Sequence, residues 1–298
     1  MKLVTFTHRG RTRIGAIDDD GATVVDFSVA APKLPQDMNA LIEAGPKALA
    51  AARAAMKTHK KGARLALAKV GLRAPIPLPR RNILCVGKNY YEHAHEFDKS
   101  GFNATKGADA IPDVPIIFTK APSTVIGPGD PIPGRLDPTR SVDYEVELAV
   151  VIGRGGRGIS KRDAFRHAFG YTIVNDVTAR HLQSRHKQWF LGKSIDGFCP
   201  MGPYLATADE IGDVRKLRVQ TRVNGALRQN ALVKDLIFDI PTLIKTLSMG
   251  MTLQPGDIIA TGTPAGVGIG FTPPKFLKKG DVVTLSIDGL GVLENKVA

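Results

Sequence analysis

The stretch Val142-Asp143-Tyr144-Glu145-Val146-Glu147-Leu148-Ala149-Val150-Val151-Ile152-Gly153 decides the fold of this chain. Its branched and apolar residues, closed by a glycine, predict a buried strand over 142–152. Residues two apart on a strand project from the same face, so Glu145 and Glu147 should point together. Burying two carboxylates side by side is costly unless a positive charge compensates them, and a divalent cation is the simplest one. The alternative is a pair of exposed glutamates on an edge strand.

A third carboxylate follows a second predicted strand. The stretch Gly170-Tyr171-Thr172-Ile173-Val174-Asn175 reads as a buried strand that ends directly before Asp176. Three hard oxygen ligands from Glu145, Glu147 and Asp176 suit Mg²⁺ or Mn²⁺ and leave positions open for water or substrate. The sequence therefore predicts a divalent metal site supplied by two neighbouring strands.

Size and composition indicate a globular protein. The chain has 298 residues, 43% of them hydrophobic and 23% charged, which is ordinary for such proteins. No segment approaches the roughly 20 apolar residues that span a bilayer. The N-terminus turns polar too early for a signal peptide, so we expect a cytoplasmic location. Cys85 and Cys199 lie in apolar stretches and predict buried thiols rather than a disulfide.

The net charge of +13 favours an anionic partner. Part of it is a run of basic residues with no acid between them: Lys57, Lys60, Lys61, Arg64, Lys69, Arg73, Arg80 and Arg81. Nucleic-acid binding is one interpretation of such a run, but interleaved aromatic residues are missing. A small anionic substrate accounts for the same sign of charge. We therefore expect a small anionic substrate and neither a nucleic acid nor a membrane as partner, with a basic nucleic-acid-binding protein as the remote alternative.

The segment Ala74-Pro75-Ile76-Pro77-Leu78-Pro79 marks a predicted domain boundary, because alternating prolines exclude a regular helix or a central strand. Residues 1–75 predict a small N-terminal α+β domain, and residues 76–298 a catalytic domain. The first should contain an antiparallel meander over 2–7, 12–17 and 22–27, then helices over 38–44 and 46–57.

The second domain lacks the regular strand–helix alternation of a doubly wound parallel sheet. We expect its strands at 82–87, 115–119, 142–152, 170–175, 217–223, 257–261 and 281–287, and helices at 160–167, 176–185 and 239–248. The glycine-rich stretch 153–158 lacks the lysine and the strand–helix context of a phosphate loop, so it predicts a hairpin turn.

A histidine and a glutamate in Gly87-Lys88-Asn89-Tyr90-Tyr91-Glu92-His93-Ala94-His95-Glu96 are candidate catalytic groups. His93 and Glu96 lie three apart, hence on one face of a helical turn. A carboxylate that holds one imidazole nitrogen leaves the other free as a general base. A surface helical turn is the alternative. Residues 97–113, with glycines inside, predict a loop that closes over a site.

Three more stretches carry candidate site residues. Arg180 and Gln183 follow Asp176 at i+4 and i+7, so they should share its face of a helix and donate hydrogen bonds to a substrate. Lys193 lies among apolar residues, where an ammonium needs an anionic partner or a catalytic role. The glycine-rich turn 262–268 offers backbone N–H groups and the Thr263 hydroxyl to a carboxylate, with a purely structural turn as the alternative.

In this order the motifs resemble the fumarylacetoacetate hydrolase family over roughly residues 80–298. The resemblance is carried by Val86–Tyr90 through His93–Glu96, Asp143–Glu147, Gly170–Tyr171 to Asn175–Arg180, Gly192–Ser194 to Gly202–Pro203, and Gly262–Gly268. It implies an α+β fold with a mixed β-roll/β-sandwich catalytic domain of the fumarylacetoacetate hydrolase type. It also implies the small N-terminal domain of longer bacterial members, and usually a homodimer.

The resemblance also implies roles for single residues. Glu145, Glu147 and Asp176 would hold Mg²⁺ or Mn²⁺, and His93 with Glu96 would activate water. Lys193 would stabilise an oxyanion together with Arg180 and Gln183, and the residues in contact with substrate would be Lys88, Arg180, Gln183 and Thr263. The chain departs from the family at His181, where an aspartate commonly follows the arginine, and at 228–235, which lacks the usual Asn-Thr-Ser run. Both departures leave the identity of the substrate open.

Members of this family act on 2-oxo and 2,4-dioxo acids. The resemblance to bacterial acylpyruvate hydrolases and 2-hydroxyhepta-2,4-diene-1,7-dioate isomerases leads us to expect hydrolysis of an acylpyruvate to pyruvate and a carboxylic acid. A base oriented by a carboxylate is what activation of water requires. The alternatives at the same site are decarboxylation of an oxaloacetate-type 2-oxo acid, or isomerisation of a 2-hydroxydienoate from aromatic catabolism. The predicted metal site is common to all three reactions, so the sequence does not separate them.

Overall fold

The computed structural model describes residues 1–102 and 111–298, so the predicted loop over 97–113 lies in part, at 103–110, outside the described residues. The strands are β1 (Lys2–His8), β2 (Arg11–Ile17), β3 (Thr23–Asp26), β4 (Arg64–Ala66), β5 (Gly71–Leu72), β6 (Ile83–Gly87), β7 (Ile116–Lys120), β8 (Val125–Ile126), β9 (Val142–Asp143), β10 (Val146–Ile152), β11 (Ala168–Asn175), β12 (Thr178–Ala179), β13 (Cys199–Thr207), β14 (Arg218–Val223), β15 (Ala226–Leu232), β16 (Ile258–Ala260), β17 (Val282–Ile287) and β18 (Gly291–Lys296). The helices are α1 (Phe27–Ala30), α2 (Met38–Glu43), α3 (Gly45–Ala55), α4 (Tyr91–Lys99), α5 (Arg180–Arg185), α6 (Phe190–Lys193), α7 (Ala208–Ile211) and α8 (Ile240–Ser248).

A mixed sheet of 12 strands forms the centre of the molecule, in the order β4-β3-β2-β1-β13-β11-β10-β16-β6-β7, with β5 beside β1 and β8 beside β13. Most neighbours are antiparallel, but β16 runs parallel to β6 and β8 parallel to β13. A second sheet of 4 strands has the order β15-β14-β17-β18, and β9 pairs with β12. The α+β class predicted from the sequence is confirmed.

The central strand β10 is buried on both of its faces, which explains its nearly continuous apolar sequence. Val146, Leu148, Val150 and Ile152 belong to one hydrophobic cluster, whereas Ala149 and Val151 belong to another. This alternation is the period of a strand that has a core on each side. Glu147 points to the same face of β10 as Ala149 and Val151, so its carboxylate is buried as well.

The N-terminal residues extend the central sheet. Strand β1 pairs antiparallel with β13, with Leu3 opposite Leu205, and β2, β3 and β4 follow in order. The meander and the two helices predicted for this part are present, at β1–β3, α2 and α3. The division of the chain into domains at residue 75 stays a prediction.

Several elements differ from the sequence-based expectation. The strand predicted over 142–152 is interrupted at Tyr144 and Glu145, where the Glu145 N–H donates to the Asn175 side chain at 3.0 Å instead of to a strand partner. The helix predicted from 176 begins only at Arg180, because residues 178–179 pair with β9. The helix predicted over 160–167 is a single 3₁₀ turn at Ala164–His167, and the predicted hairpin turn at 153–158 is part of the longer connection 153–167 between β10 and β11. Strands β13, β15 and β18 were not predicted.

All four arginines of the basic run are paired with acids. Arg64 contacts Asp18, and Arg73 Nη1 lies 4.0 Å from Asp130 Oδ1. Arg80 Nη1 lies 2.8 Å from Glu43 Oε2, and Arg81 Nη1 lies 2.9 Å from Asp257 Oδ2. The pairing reduces the charge that this surface presents to a partner. Among residues 1–102 and 111–298, no helix has the length and apolar character required to cross a membrane.

Candidate active site

Four strand ends meet at one place in the central sheet. Strands β11 and β16 both run antiparallel to β10, so their carboxyl ends lie at the amino end of β10. Because β6 is parallel to β16, its carboxyl end lies there too. Polar side chains that follow these strands are therefore brought together: Lys88 and Asn89 after β6, Asp176 after β11, and Thr261 to Thr263 after β16.

The carboxylates of Glu145, Glu147 and Asp176 form a cage. One oxygen from each lies within 4.8 Å of the others, and all three side chains are buried. The backbone fixes the arrangement, because the Asp176 N–H donates to the Glu145 carbonyl at 2.8 Å. The triad expected from the sequence is thus assembled by a backbone hydrogen bond between the end of β11 and the residue that precedes β10.

Two of the three cage carboxylates have cationic partners. Lys193 Nζ lies 2.8 Å from Glu145 Oε2 and 2.7 Å from Asp176 Oδ2. Lys120 Nζ lies 2.8 Å from Asp176 Oδ1. Glu147 accepts a hydrogen bond from the Gly262 N–H at 2.8 Å, and no ion pair reaches it within the described residues. Positive charge is therefore distributed unevenly over the cage.

This asymmetry separates the pKa values of the two glutamates. Burial alone would raise the pKa of Glu145, but Lys193 and Arg180 outweigh it and lower the pKa to about 2. Burial, with Asp176 and Glu145 as negative neighbours, raises the pKa of Glu147 well above its usual range. A cation placed among the three carboxylates would reverse the shift of Glu147.

The donor set fits a hard divalent cation. Three carboxylates supply oxygen ligands, the type that Mg²⁺ and Mn²⁺ prefer. Asp176 Oδ1 is buried and accepts no hydrogen bond, although the Lys120 ammonium lies 2.8 Å from it. Glu147 is buried and in no ion pair with a described residue, so its negative charge is costly unless a proton or a cation balances it. The cage therefore satisfies the expectation of a metal site on its own geometry.

Arg180 connects the cage to the glycine-rich turn. It is fully buried, and its Nη2 lies 2.7 Å from Glu145 Oε1 while its Nε donates to Asp143 Oδ2 at 2.8 Å. Asp143 also accepts from the N–H groups of Gly268 at 2.7 Å and Ile269 at 3.1 Å. Gln183, predicted to bind substrate with Arg180, accepts a hydrogen bond from its Nη1 at 3.2 Å. Arg180 is therefore engaged by protein groups on all three of its nitrogens.

The predicted catalytic dyad is formed on α4. His93 Nδ1 lies 3.1 Å from Glu96 Oε2, and the other glutamate oxygen accepts the Gly266 N–H at 2.9 Å. The glycine-rich turn thereby fixes the glutamate, and the glutamate fixes the imidazole. Because Nδ1 is engaged, Nε2 is the nitrogen left for chemistry.

A small cavity joins the dyad to the cage. Its volume is about 10 Å³, and its walls include His93, Glu145, Glu147, Lys193 and Arg180. The remaining lining residues are Val86, Gly87, Lys88, Phe97, Phe118, Gln183, Trp189 and Thr263. The Thr263 hydroxyl accepts a hydrogen bond from the Gln229 side chain at 2.7 Å. The site residues predicted from the sequence all line this cavity except Glu96 and Asp176. Glu96 contacts His93, and Asp176 belongs to the cage.

Two residues at the site were not predicted. Lys120 is buried at the end of β7. A lysine directly after the apolar sequence Ile-Ile-Phe-Thr could have indicated this burial. Asp143 lies in an apolar strand, where an aspartate indicates a buried partner. His181, where the family commonly has aspartate, is exposed and stacks on Phe102, with ring centroids 5.3 Å apart.

Comparison with known proteins agrees with this geometry. A profile described as "Fumarylacetoacetate (FAA) hydrolase C-terminal" matches residues 82–298. The chain is 49% identical to oxaloacetate tautomerase YisK of Bacillus subtilis (strain 168) over 310 residues, which covers 100% of both. The structure of a fumarylacetoacetate hydrolase (EaFAH) from psychrophilic Exiguobacterium antarcticum superimposes with a TM-score of 0.83 at 44% identity, covering 100% of this chain and 99% of that one. A maleylpyruvate hydrolase from Sphingobium sp. SYK-6, solved with manganese(II) and pyruvate, gives a TM-score of 0.77 at 33% identity, with 100% and 99% covered. The fold type is thereby confirmed, and the chain belongs to the fumarylacetoacetate hydrolase family of enzymes.

Proposed function

We propose that this chain catalyses the keto–enol tautomerisation of a short 2-oxo acid of the oxaloacetate type, with a divalent cation at the carboxylate cage. The observation that carries the proposal is that His93, buried and oriented by Glu96, lines the same cavity as Glu145 and Glu147 of the cage. Tautomerisation needs one group that moves a proton between carbon and oxygen, and a site that tolerates negative charge on that oxygen. Similarity along the whole chain to a protein named oxaloacetate tautomerase supports the same reaction.

The proton can be moved by one imidazole. Mg²⁺ or Mn²⁺, when held by Glu145, Glu147 and Asp176, would supply Lewis-acid polarisation of the oxo group. His93 Nε2 takes a proton from C3, the C–H electron pair becomes the C2–C3 double bond, and the carbonyl π pair moves onto the C2 oxygen. The imidazolium then returns the proton to that oxygen and yields the enol. Glu96 stabilises the imidazolium and holds its orientation.

Aromatic rings and charged groups lie side by side in the wall of the cavity. Phe97, Phe118 and Trp189 line it, with the Phe97 and Trp189 rings 5.8 Å apart and those of Phe118 and Trp189 5.2 Å apart. Lys88 Nζ lies 5.3 Å from the centre of the Phe97 ring, and Lys193 Nζ lies 5.1 Å from that of Phe118. A space of about 10 Å³ is the room of about one water molecule, so a substrate enters only when the walls move apart. Proton transfer within the substrate needs no additional water, whereas hydrolysis does.

The test follows the loss of enol absorbance when enol-oxaloacetate is added to the protein with Mn²⁺. We expect a metal-dependent rate above that of buffer, and a decrease of about 10²–10⁴-fold in kcat for His93→Ala. His95→Ala is the matched control, because His95 lies on the same helix and is exposed. A wild-type rate equal to that of buffer at saturating Mn²⁺ would refute the proposal. Release of carbon dioxide in step with enol loss would assign decarboxylation instead.

A second candidate is hydrolysis of a 2,4-dioxo acid to pyruvate and a carboxylic acid. It is favoured by the similarity to a maleylpyruvate hydrolase whose structure contains manganese(II) and pyruvate. In this reaction His93 would take its proton from water instead of from carbon. Formation of pyruvate from an acylpyruvate, with ¹⁸O from labelled water in the second acid, would establish it. Absence of pyruvate across acylpyruvates of different length would exclude it.

We also propose that the protein forms a homodimer in the cytoplasm and binds neither nucleic acid nor membranes, as expected from the sequence. Sedimentation velocity measures the first property directly. Filter binding of duplex DNA at low and moderate salt checks the second, and retention no greater than that of another protein of equal charge is the expected result.

A further inference from the structure

Lys88 is a buried cation without an ion-pair partner in the described part of the chain. Its residue is 6% exposed and lines the cavity, yet its ammonium makes no hydrogen bond or ion pair with any residue in 1–102 or 111–298. Its Nζ lies 5.3 Å from the centre of the Phe97 ring. Burial lowers the pKa of Lys88, and Asp98 offsets this only in part. Lys120 and Lys193, which are more completely buried than Lys88, both contact Asp176.

The backbone at Lys88 is also strained. Its φ of +52° lies in the left-handed region, where a side chain with a Cβ is disfavoured. Strain of this kind persists where the surrounding structure requires it and is concentrated at functional sites. Asn89 holds the segment in place, because its side chain donates to the Thr261 carbonyl at 2.7 Å and accepts the Phe238 N–H at 2.8 Å. A lysine is therefore held at a position where glycine would be easier to accommodate.

The other cations of the site are already engaged by protein carboxylates. Arg180 contacts Asp143 and Glu145, and Lys193 contacts Glu145. An anion that enters the cavity would have to compete with these carboxylates for either cation. Lys88 requires no such exchange with residues 1–102 and 111–298, because its ammonium is in no ion pair with a carboxylate of these residues.

We infer that Lys88 binds the second carboxylate of the substrate, so that the site selects 2-oxo dicarboxylates over 2-oxo monocarboxylates. The inference rests on the proposed function, in which the 2-oxo acid end of the substrate lies at the cage and C3 lies beside His93. Lys88 and His93 both line the cavity and belong to the segment 86–97, which supplies five of its lining residues. With C3 beside His93, we place the group attached to C3 toward Lys88. In a four-carbon dicarboxylate that group is an anion, whereas in a monocarboxylate it leaves the ammonium desolvated and unpaired.

The experiment compares Lys88→Met with the wild type on oxaloacetate and on its 4-methyl ester, which has the same carbon skeleton without the distal charge. Methionine is similar in length, has no charge, and carries the same Cβ as lysine at the strained φ. We expect kcat/KM for oxaloacetate to fall by about 10- to 100-fold, mainly through KM, and kcat/KM for the ester to change at least tenfold less. Lys99→Met is the matched control, because Lys99 is exposed in the last turn of α4.

A binding measurement separates this inference from the proposed reaction. Malate and 2-hydroxybutanoate do not tautomerise and differ in the distal carboxylate, so calorimetric titration of the Mn²⁺-loaded protein reports recognition alone. We expect the wild type to prefer malate and Lys88→Met to lose that preference. If the wild type turns over neither oxo acid but shows this Lys88-dependent preference, the proposed function fails and the inference stands.

Two results with the wild type and Lys88→Met would overturn the inference. One is equal affinity of the wild type for malate and 2-hydroxybutanoate. The other is an equal loss of kcat/KM on oxaloacetate and on its ester in Lys88→Met. Lys88→Gly guards against misfolding of the methionine variant, because glycine relieves the positive φ. The glycine variant should melt at or above the wild-type temperature and lose the preference for malate over 2-hydroxybutanoate. If it keeps that preference, the inference is equally overturned.

Discussion

Replacing Lys120 by methionine tests whether the carboxylate cage depends on a cation outside the recognisable motifs. The Lys120 ammonium lies 2.8 Å from Asp176 Oδ1, and it donates hydrogen bonds to the carbonyls of Val177, at 3.0 Å, and Lys193. Methionine keeps a stem of similar length and volume but provides no charge and no donor. The substitution therefore removes three polar contacts from the wall of the cage with little change in packing.

The expected cost follows from these contacts. Removing one partner of a buried ion pair costs about 3–5 kcal/mol, because the remaining charge stays desolvated. Asp176 keeps Lys193 at 2.7 Å, which favours the lower end of that range. Each carbonyl left without a donor adds about 1 kcal/mol. We therefore expect a loss of about 3–5 kcal/mol in the free energy of unfolding, equivalent to a decrease in Tm of roughly 6–15 °C for a chain of this size.

The measurement is thermal unfolding in EDTA and then with increasing Mn²⁺. A cage with one fewer positive charge should bind Mn²⁺ more tightly, so the gain in Tm at a given Mn²⁺ concentration should be larger for the variant than for the wild type. Lys216→Met, at an exposed position, controls for the loss of a lysine as such. A metal-free Lys120→Met protein that melts within about 2 °C of the wild type would refute the reasoning.

Three other predictions concern the same network. In Gly270→Ala the new Cβ would lie 1.8 Å from Glu96 Oε1, so Glu96 must move, and we expect kcat to fall about tenfold or more while the calorimetric affinity for Mn²⁺ is unchanged. In Asp143→Asn, Arg180 loses one of its two buried counter-charges and keeps Glu145, and chemical denaturation should show a loss of about 3 kcal/mol. The raised pKa of Glu147 means that the folded, metal-free protein retains a proton that the unfolded chain releases, so stability should fall as the pH rises above the ordinary glutamate value of 4.5. Denaturation in EDTA across this range should show a smaller slope for Glu147→Gln.

The sequence indicated which residues meet at the site because strand geometry is local. The period of a strand predicted that Glu145 and Glu147 share a face, and the end of the next strand placed Asp176 beside them. The dyad was readable for the same reason, since a spacing of three defines one turn of helix. The continuous strand over 142–152 was wrong, however. The backbone of Glu145 is held by a hydrogen bond to the Asn175 side chain. A hydrogen bond between residues so far apart in the chain cannot be predicted from the local sequence pattern.

Lys120 shows what local pattern does not contain. Nothing in Ile-Ile-Phe-Thr-Lys indicates which carboxylate its ammonium meets, because that contact depends on how the end of β7 lies against the residues after β11. With it the ion pairs around the cage can be listed: the buried cations Lys120, Arg180 and Lys193 pair with Asp143, Glu145 and Asp176. The Lys88 ammonium lines the same cavity and is in no ion pair with these carboxylates. Within the described residues Glu147 is in no ion pair and accepts a backbone N–H. Its charge must be balanced by a proton or by a bound cation, so binding of a divalent metal should displace a proton, and metal affinity should rise with pH over the range in which Glu147 titrates.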